Sequence, residues 1–439
     1  MLLGTQKVNA HGELEIGGVS CVELAKEFGT PLYVMDEEHI RSVCRQYKEA
    51  FRAKYPTDVD IIYAGKAFLT LAMCKLVEHE GLSLDVSTGG ELHTAVAAGF
   101  PAERVYMHGN NKSDEEVCLA LDTGVGRIVI DSLDEIGQIS RLAQGRKVPA
   151  LLRITPGIKA KTHEYIQTAQ LDSKFGLGIV SGQAIQGMRM ALGSRTVELK
   201  GVHCHIGSQL LGLDCYRETV RVMFELLADV RRETGFEARE LNVGGGLGIR
   251  YVSDHVDQTP TIGALAATIE EAVITHSKRL SYPIPKLMVE PGRSIVGEAG
   301  TTLYTVGVVK EIPGVRTYVA VDGGLSDNPR PAMYQAEYEI IVANKAAEPR
   351  TETVTIAGKH CETDVLIYDA SSQPISSGDI IAVQSTGAYN YSMASNYNRL
   401  PRPAVVFVTG GRADIAVERE TWADMVSHDR IPERILDGR

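Results

Sequence analysis

Residues that can do chemistry follow several short apolar runs in the first two thirds of this 439-residue chain. Lys66 follows the first run, and a lysine in apolar surroundings can lose its proton and form a Schiff base with an aldehyde. Glu290 ends the last run, where burial of an unpaired carboxylate is costly. An ion pair with Arg293 would satisfy this carboxylate, and so would a protonated ring nitrogen of a ligand. The other run ends carry Asp85, His108, Asp131, Arg153, His203 and His205.

A glycine turn and an arginine offer donors for an anion. Gly244, Gly245 and Gly246 follow the seventh run, and Arg293 comes just after the eighth. In parallel barrels, backbone N–H groups after strands seven and eight often bind phosphate, and an arginine fork adds charge-assisted hydrogen bonds. A lysine for an aldehyde and a phosphate site together are what pyridoxal phosphate requires.

The pair His203 and His205 has two interpretations. A His-x-His pair suggests a metal site, but no carboxylate or further histidine stands beside it in sequence. A metal site is therefore the weaker interpretation, and no metal is predicted. Alternate residues of a strand share a face, so both imidazoles can point to the same side, and one can stack on a planar cofactor.

The apolar runs recur with helix-length stretches between them, in the order strand, helix, strand, helix. This period predicts a (β/α)8 TIM-like barrel, in which the carboxyl ends of the strands bring the reactive residues together. The eight runs are Asp60 to Ala64, Leu82 to Val86, Arg104 to Met107, Arg127 to Ile130, Pro149 to Ile154, Glu198 to His203, Glu240 to Val243 and Lys286 to Glu290.

After Arg293 the pattern changes to strands without intervening helices, which predicts a C-terminal antiparallel β domain. An early strand, Pro31 to Met35, is expected to join it, so that the barrel is an insertion in a sheet domain. We therefore expect a barrel over residues 36–285 and a β-rich domain from residues 1–35 and 286–439.

Composition narrows the function classes. A net charge of -11 argues against a nucleic-acid partner, and 44% hydrophobic residues without a long apolar run give no membrane span. Seven scattered cysteines suit neither a disulfide framework nor a zinc site. The N-terminus turns polar too quickly for a signal peptide, so the expected location is the cytoplasm.

The ordered motifs resemble the barrel-type (fold type III) pyridoxal phosphate decarboxylases, and among them the diaminopimelate decarboxylase family. This resemblance covers nearly the whole chain and implies an alanine racemase-like architecture. It also implies decarboxylation of meso-2,6-diaminopimelate to L-lysine, the last step of lysine biosynthesis. The motifs are Tyr63 to Phe68, Asp85 to Glu91, His203 to Gln209, Gly244 to Gly246, Glu290 to Arg293, Val321 to Tyr334, Cys361-Glu362 and Gly387-Ala388-Tyr389.

The resemblance also implies residue roles. Lys66 would carry the cofactor as a Schiff base, His205 would stack on its ring, and Glu290 would pair with the ring nitrogen. Cys361 would return a proton to the substrate, and would come with Glu362 from the partner subunit of a homodimer. The remaining cofactor contacts would come from Asp85, Ser208, Gly244, Gly245, Gly246, Gly292, Arg293 and Tyr389.

Substrate choice depends on the far end of the amino acid. Arg330 and Tyr334 offer donors for a distal carboxylate, and Glu362 an acceptor for the ammonium group, with Arg293 and Tyr389 also expected at the substrate. These groups fit a zwitterion better than a simple diamine end. The alternatives are a decarboxylase of ornithine, arginine or a carboxylated polyamine, and a non-catalytic regulatory homologue.

The loop of Cys361 departs from the family pattern Cys-Glu-Ser-Gly-Asp. Here Cys361-Glu362-Thr363-Asp364 is one residue short and lacks the glycine. Glycine permits a backbone conformation that threonine or aspartate resists. The conformation of this loop is therefore an open question at the level of sequence.

Overall fold

The protein is described from a computed structural model that covers residues 2–53, 55–158, 173–253 and 259–436. Contacts divide the chain into two units. The barrel unit is His39–Glu298, and the sheet unit combines Met1–Glu38 with Ala299–Arg439. In the described residues, no helix combines the length and apolar character needed to cross a membrane.

The strands and helices follow one another through both units. The strands are β1 (Lys7–Val8), β2 (Leu14–Ile16), β3 (Val19–Ser20), β4 (Leu32–Asp36), β5 (Val59–Ala64), β6 (Ser83–Val86), β7 (Val105–Met107), β8 (Arg127–Ile130), β9 (Val148–Thr155), β10 (Leu177–Gly178), β11 (Val197–His203), β12 (Glu240–Asn242), β13 (Lys286–Val289), β14 (Gly300–Ile312), β15 (Arg316–Val321), β16 (Ile340–Val342), β17 (Glu352–Ala357), β18 (Val365–Ser372), β19 (Ile380–Val383), β20 (Ala404–Thr409) and β21 (Arg412–Val417). The helices are α1 (Cys21–Phe28), α2 (Glu37–Arg52), α3 (Leu71–His79), α4 (Gly89–Ala97), α5 (Asp114–Thr123), α6 (Leu133–Leu142), α7 (Gln183–Gly193), α8 (Asp214–Thr234), α9 (Ile262–Leu280), α10 (Arg293–Val296), α11 (Arg330–Tyr334), α12 (Trp422–Val426) and α13 (Glu433–Leu436).

The barrel unit is a closed parallel barrel. Among the described residues, eight parallel strands pair in the order β9, β11, β12, β13, β5, β6, β7 and β8, and β8 pairs with β9 to close the ring. Each predicted run matches one of these strands to within one residue at either end. Buried side chains of five strands pack together in one cluster of the core: Ile62, Tyr106, Val129, Leu151 and Met288. The predicted barrel is confirmed, and it brings the carboxyl ends of its strands to one rim.

Side-chain caps define where the barrel helices begin. Thr88 and Ser132 accept hydrogen bonds from backbone N–H groups at the starts of α4 and α6. At α5, Ser113 and Glu116 form a reciprocal capping box. Such caps satisfy N–H groups that have no partner within the helix, and each stabilises it by about 1 kcal/mol. They fix short turns between strand ends and helices, where the reactive residues lie.

The sheet unit is built around a second sheet of nine strands among the described residues. Most pairings are antiparallel, while β15 with β17 and β20 with β4 are parallel. The early strand β4 lies between β14 and β20, so the expectation that the N-terminal strand joins the later sheet is confirmed. Side chains from both ends of the chain, including Leu32, Leu303 and Val406, share one buried core cluster.

The predicted boundary at residue 285/286 requires a correction. This boundary assigns the run beginning at Lys286 to the β-rich domain, although the strand pattern predicts the same run as a barrel strand. In the structure this run is β13, which pairs with β12 and β5 and is needed to close the barrel. The contact division accordingly falls after Glu298.

Candidate active site

Lys66 lies at the carboxyl end of β5, in a short 3-10 helix spanning Gly65–Ala67. Its Nζ atom is 3.2 Å from Oδ2 of Asp85, which lies on the neighbouring strand β6. The Lys66 side chain is 42% exposed, whereas that of Asp85 is only 1% exposed. A Cβ atom at Gly65 would come within 2.7 Å of the Asp85 carbonyl oxygen, so glycine permits this close approach. The amine is thus anchored by a buried carboxylate and remains open to a ligand.

Glu290 is buried directly after β13 and is surrounded by proton-bearing groups. Its Oε1 atom accepts a hydrogen bond of 2.7 Å from Asn242 Nδ2 and lies 3.0 Å from His108 Nε2. Its Oε2 atom is 3.0 Å from His203 Nε2. Asn242 also accepts a hydrogen bond of 2.9 Å from the N–H of Gly244, which links the carboxylate to the glycine turn.

The charge state of this cluster follows from its contacts. Burial opposes ionisation of Glu290, but the imidazoles of His203 and His108 outweigh burial and hold the pKa of Glu290 well below the ordinary glutamate value. Burial lowers the pKa of His203 to about 4, although Glu290 attracts a proton to it. At neutral pH the pair is therefore an ionised carboxylate and a neutral imidazole. Among the described residues, Glu290 contacts imidazoles and an amide rather than the guanidinium of Arg293.

The same cluster has the composition of a metal site. Ligand atoms of His108, His203 and Glu290 all lie within 4.8 Å of one another. The nitrogen-to-oxygen distances of 3.0 Å are those of hydrogen-bonded groups, longer than the roughly 2.0 to 2.2 Å of zinc–ligand bonds. The distances therefore describe a Glu290 carboxylate within hydrogen-bonding distance of His108 and His203.

The glycine turn packs tightly against the loop of His205. The N–H of Gly245 donates a hydrogen bond of 3.3 Å to His205 Nδ1. A Cβ atom at Gly245 would lie 2.0 Å from the Glu290 carbonyl oxygen, and one at Gly246 would lie 2.5 Å from the Gly207 carbonyl oxygen. Any side chain at these positions would push the two loops apart. Burial, followed by the positive charges of Lys66 and Arg153, lowers the pKa of His205 well below its ordinary value, so its ring is neutral at pH 7.

Arg293 is buried beside this turn, at the start of α10. Its Nη2 and Nε atoms donate to Ser208 Oγ at 2.9 and 3.2 Å, and its Nη1 atom donates to the hydroxyl of Tyr251. Gly292 precedes it, and a Cβ atom there would lie 3.0 Å from the Cβ atom of Ala64. A buried guanidinium and a hydroxyl thus stand together near the glycine turn, which is a suitable set of donors for an anion.

Two other strand-end residues pair with each other. Arg153 Nη1 lies 3.6 Å from Asp131 Oδ1, and the guanidinium lies over the ring of Phe175 at 4.3 Å. The structure gives both residues a structural explanation within the rim of the barrel.

In the sheet unit, Arg330 begins α11 and is buried, with 7% of its surface exposed. Its guanidinium lies over the rings of Tyr334 and Tyr389 at 5.1 and 5.3 Å. Its Nε atom has no hydrogen-bond partner among the described residues. A buried cation with a free donor and two aromatic faces is well suited to a carboxylate ligand.

Cys361 and Glu362 lie at an exposed turn of the sheet unit, between β17 and β18. The N–H of Cys361 donates a hydrogen bond of 3.0 Å to Asn398 Oδ1, and Glu362 Oε1 accepts one of 2.6 Å from the hydroxyl of Tyr397. Asp364, three residues after Cys361, takes a left-handed conformation with φ of +36°. The shortened loop thus contains a left-handed residue although it lacks the glycine.

The predicted residues divide between the units as follows. The barrel unit carries Lys66, Asp85, His205, Ser208, Gly244, Gly245, Gly246, Glu290, Gly292 and Arg293, and the sheet unit carries Arg330, Tyr334, Cys361, Glu362 and Tyr389. Sequence reasoning gave no role to His108, Asn242 or Tyr251, which contact Glu290 or Arg293. The sequence could have indicated His108 and Asn242, because they lie at the ends of β7 and β12, as Lys66 lies at the end of β5. Tyr251 lies beyond the glycine turn, and no pattern marks it.

Known proteins are similar to this chain over nearly its whole length. The family model of the pyridoxal-dependent decarboxylases, pyridoxal binding domain, matches residues 37–297. A diaminopimelate decarboxylase of Bacillus subtilis is 50% identical over 431 residues, which cover 98% of each chain. One of Staphylococcus aureus is 45% identical over 430 residues, covering 97% of this chain and 99% of the relative. The crystal structure of a diaminopimelate decarboxylase from M. jannaschii in complex with L-lysine is 36% identical, with a TM-score of 0.92 and coverage of 98% and 99%.

Proposed function

Because this chain belongs to the diaminopimelate decarboxylases, which are pyridoxal-dependent enzymes, we propose that the barrel-rim residues around Lys66 and Glu290 form its catalytic centre. Its reaction is the decarboxylation of meso-2,6-diaminopimelate to L-lysine and carbon dioxide. Its cofactor is pyridoxal 5'-phosphate. The observation that carries the assignment of the site is the ionised, buried Glu290 at the same rim as the anchored amine of Lys66.

The residues present fit this cofactor at three places. Lys66 supplies a reachable amine for the aldehyde. Glu290 supplies a buried negative charge, which a protonated ring nitrogen would balance. The tight glycine turn, with Ser208 and Arg293, supplies N–H and O–H donors for the phosphate. The cofactor, when bound, supplies an electron sink for the pair that departing carbon dioxide leaves at the α-carbon.

The other residues of the rim orient these groups. Asp85 holds the Lys66 amine by charge, and His205, kept neutral, presents its ring as a stacking face. His203 and Asn242 hold the Glu290 carboxylate in place and ionised, so that it keeps a proton on the ring nitrogen.

Most of the residues proposed for substrate binding belong to the sheet unit. Arg330, Tyr334 and Tyr389 would bind the distal carboxylate, because the guanidinium is buried and one donor is unpaired among the described residues. Glu362 would accept hydrogen bonds from the distal ammonium group. Cys361 would return a proton to the α-carbon after carbon dioxide has left, and the new C–H bond gives lysine. Tyr389 would also contact the phosphate, and Arg293 the substrate.

We further propose that the working enzyme is a homodimer, in which Cys361 and Glu362 serve the site of the partner subunit. Both residues are exposed in the single chain, which suits a role beyond it. All seven cysteines are free thiols, which supports a reducing compartment, the cytoplasm.

A substrate panel tests the function. Purified protein loaded with pyridoxal phosphate should release carbon dioxide from meso-diaminopimelate much faster than from ornithine, arginine or a carboxylated polyamine. A preference for ornithine would refute the substrate assignment and leave the cofactor assignment intact. Full activity in Glu290→Gln would refute the catalytic centre.

A further inference from the structure

The exposed turn that carries Cys361 and Glu362 is held by the buried pair of His360 and Asp364 and by the hydroxyl of Tyr397. We propose that His360 and Asp364 form a positioning pair for Cys361, and that Tyr397 positions Glu362. Loss of the first contact should then lower kcat, and loss of the second should raise KM. This inference rests on the roles proposed above for Cys361 and Glu362.

Asp364 accepts several hydrogen bonds from backbone N–H groups in and around the turn. Its Oδ2 atom accepts a hydrogen bond of 3.0 Å from the N–H of His360, and its Oδ1 atom accepts one of 2.7 Å from the N–H of Leu325. Its carbonyl oxygen accepts one of 2.8 Å from the N–H of Gly358. A left-handed conformation costs a residue with a side chain about 1 to 2 kcal/mol, and these bonds offset that cost. The short turn therefore depends on the Asp364 side chain.

The space around this carboxylate is closed. A Cβ atom at Gly324 would lie 2.3 Å from Asp364 Oδ2, and one at Gly358 would lie 2.0 Å from the same atom. The carboxylate is thus packed against two glycines from different segments. A small shift of the Asp364 carboxylate therefore has to move the turn that carries Cys361 and Glu362.

His360 joins the turn to the segment that leads to Arg330. Its side chain is wholly buried, and its Nδ1 atom lies 2.6 Å from Asp364 Oδ2. Its Nε2 atom accepts a hydrogen bond of 3.3 Å from the N–H of Ser326. These partners assign the proton to Nδ1 and leave Nε2 as the acceptor. Both ring nitrogens are engaged, so His360 acts on its neighbour Cys361 by position rather than by proton transfer.

Tyr397 holds the other reactive residue of the turn. Its ring is stacked on His360, with centroids 5.7 Å apart and planes at 7°. Its hydroxyl donates the bond of 2.6 Å to Glu362 Oε1. Glu362 is exposed, so the bond orients its side chain more than it stabilises the fold. Cys361 and Glu362 are therefore neighbours in sequence with different supports.

Three variants separate these supports. Asp364→Gly keeps a residue at ease in the left-handed conformation and removes the carboxylate, while Asp364→Asn keeps its size. Both should lower kcat about tenfold to a hundredfold, because a misplacement of about 1 Å can cost about a hundredfold. Tyr397→Phe keeps the ring on His360 and removes the hydroxyl. It should raise KM for diaminopimelate about two- to tenfold, the effect of one hydrogen bond, with kcat nearly unchanged.

Asp369 provides a matched control on the same hairpin. It also has a positive φ, of +49°, but its side chain is 67% exposed and its carboxylate lies 3.7 Å from Arg316. Asp369→Gly should leave both kcat and KM unchanged. Cofactor absorbance should be the same in all variants, since none of these residues is among the proposed cofactor contacts.

The results also distinguish this proposal from the proposed function. If Cys361→Ser keeps full kcat, the role of Cys361 itself is wrong. If Cys361→Ser loses kcat while Asp364→Asn keeps it, the positioning pair is wrong and the function stands. If Asp364→Gly does not fold, Asp364→Asn and Tyr397→Phe still test the proposal. The proposal is overturned if these two variants change kcat by the same factor and KM by the same factor.

Discussion

Arg330→Ala should weaken binding of diaminopimelate and leave the cofactor in place. The Arg330 guanidinium is buried and lies over the rings of Tyr334 and Tyr389, with its Nε atom unpaired among the described residues. Loss of one charge-assisted hydrogen bond costs about 1.5 to 3 kcal/mol. Since about 1.4 kcal/mol corresponds to tenfold, the dissociation constant should rise roughly ten- to a hundredfold.

The assay compares two ligands and two arginines. The family resemblance implies that the reacting centre has the D configuration. D-Lysine has this centre and the distal ammonium group of diaminopimelate but no distal carboxylate, so Arg330→Ala should not change its binding as a competitive ligand. Arg316 is a matched control, because its guanidinium also lies over two rings, those of Tyr318 and Tyr368, at 5.9 and 5.0 Å. Arg316→Ala should bind diaminopimelate normally. An unchanged affinity in Arg330→Ala, or an equal loss for both ligands, would refute the reasoning about the distal carboxylate.

Four further predictions concern the cofactor, the electron sink, assembly and pH. Lys66→Ala should abolish turnover, the cofactor absorbance and any borohydride-reducible adduct; an adduct in this variant would contradict the assignment of the lysine. Glu290→Gln should keep the cofactor but lower kcat about a hundredfold or more, as removal of one preorganised electrostatic partner does; near-normal turnover would make Glu290 structural. Mixing inactive Lys66→Ala and Cys361→Ala subunits under exchange conditions should restore about a quarter of wild-type activity, since about half the dimers gain one intact site; verified mixed dimers without activity would place both residues in one chain. The pKa of His203 is about 4 when folded and about 6.5 when unfolded, so the unfolded chain binds more protons between these values, and stability should fall by up to about 3 kcal/mol as pH drops from 6.5 to 4. His203→Gln should reduce this fall in urea titrations at pH 7 and pH 5.

The barrel and its main reactive residues were predictable because one rule places them. Strand ends of a parallel barrel meet at one rim, so the apolar runs located Lys66, Asp85 and Glu290 without any knowledge of contacts. The residues that contact Glu290 could not be predicted by this rule alone. Which of several strand-end side chains meets Glu290 depends on the stagger of neighbouring strands, and the sequence does not state it. For this reason His108 and Asn242 had no assigned role.

In the sheet unit, prediction was limited by short and exposed segments. β16 is a run of only three residues, and β21 alternates weakly because much of its surface is exposed, so the sequence pattern marks neither strand clearly. The parallel pairing of β15 with β17 depends on long-range topology rather than on composition. At Asp364 the preference for glycine is offset by hydrogen bonds to its carboxylate, one from His360 in the same turn and one from Leu325 in a distant segment.

The place of β4 between β14 and β20 has a consequence for the order in which this protein can fold during synthesis. The ribosome makes β4 early, but its partners begin at Gly300 and Ala404. A nascent chain that ends at Glu298 holds every barrel strand and neither partner of β4. Domains generally fold as units while the chain emerges from the ribosome. The inserted barrel can therefore fold first, while the N-terminal strand β4 is still unpaired. The first 38 residues are therefore exposed to chaperones and proteases for longer than any later part of the chain.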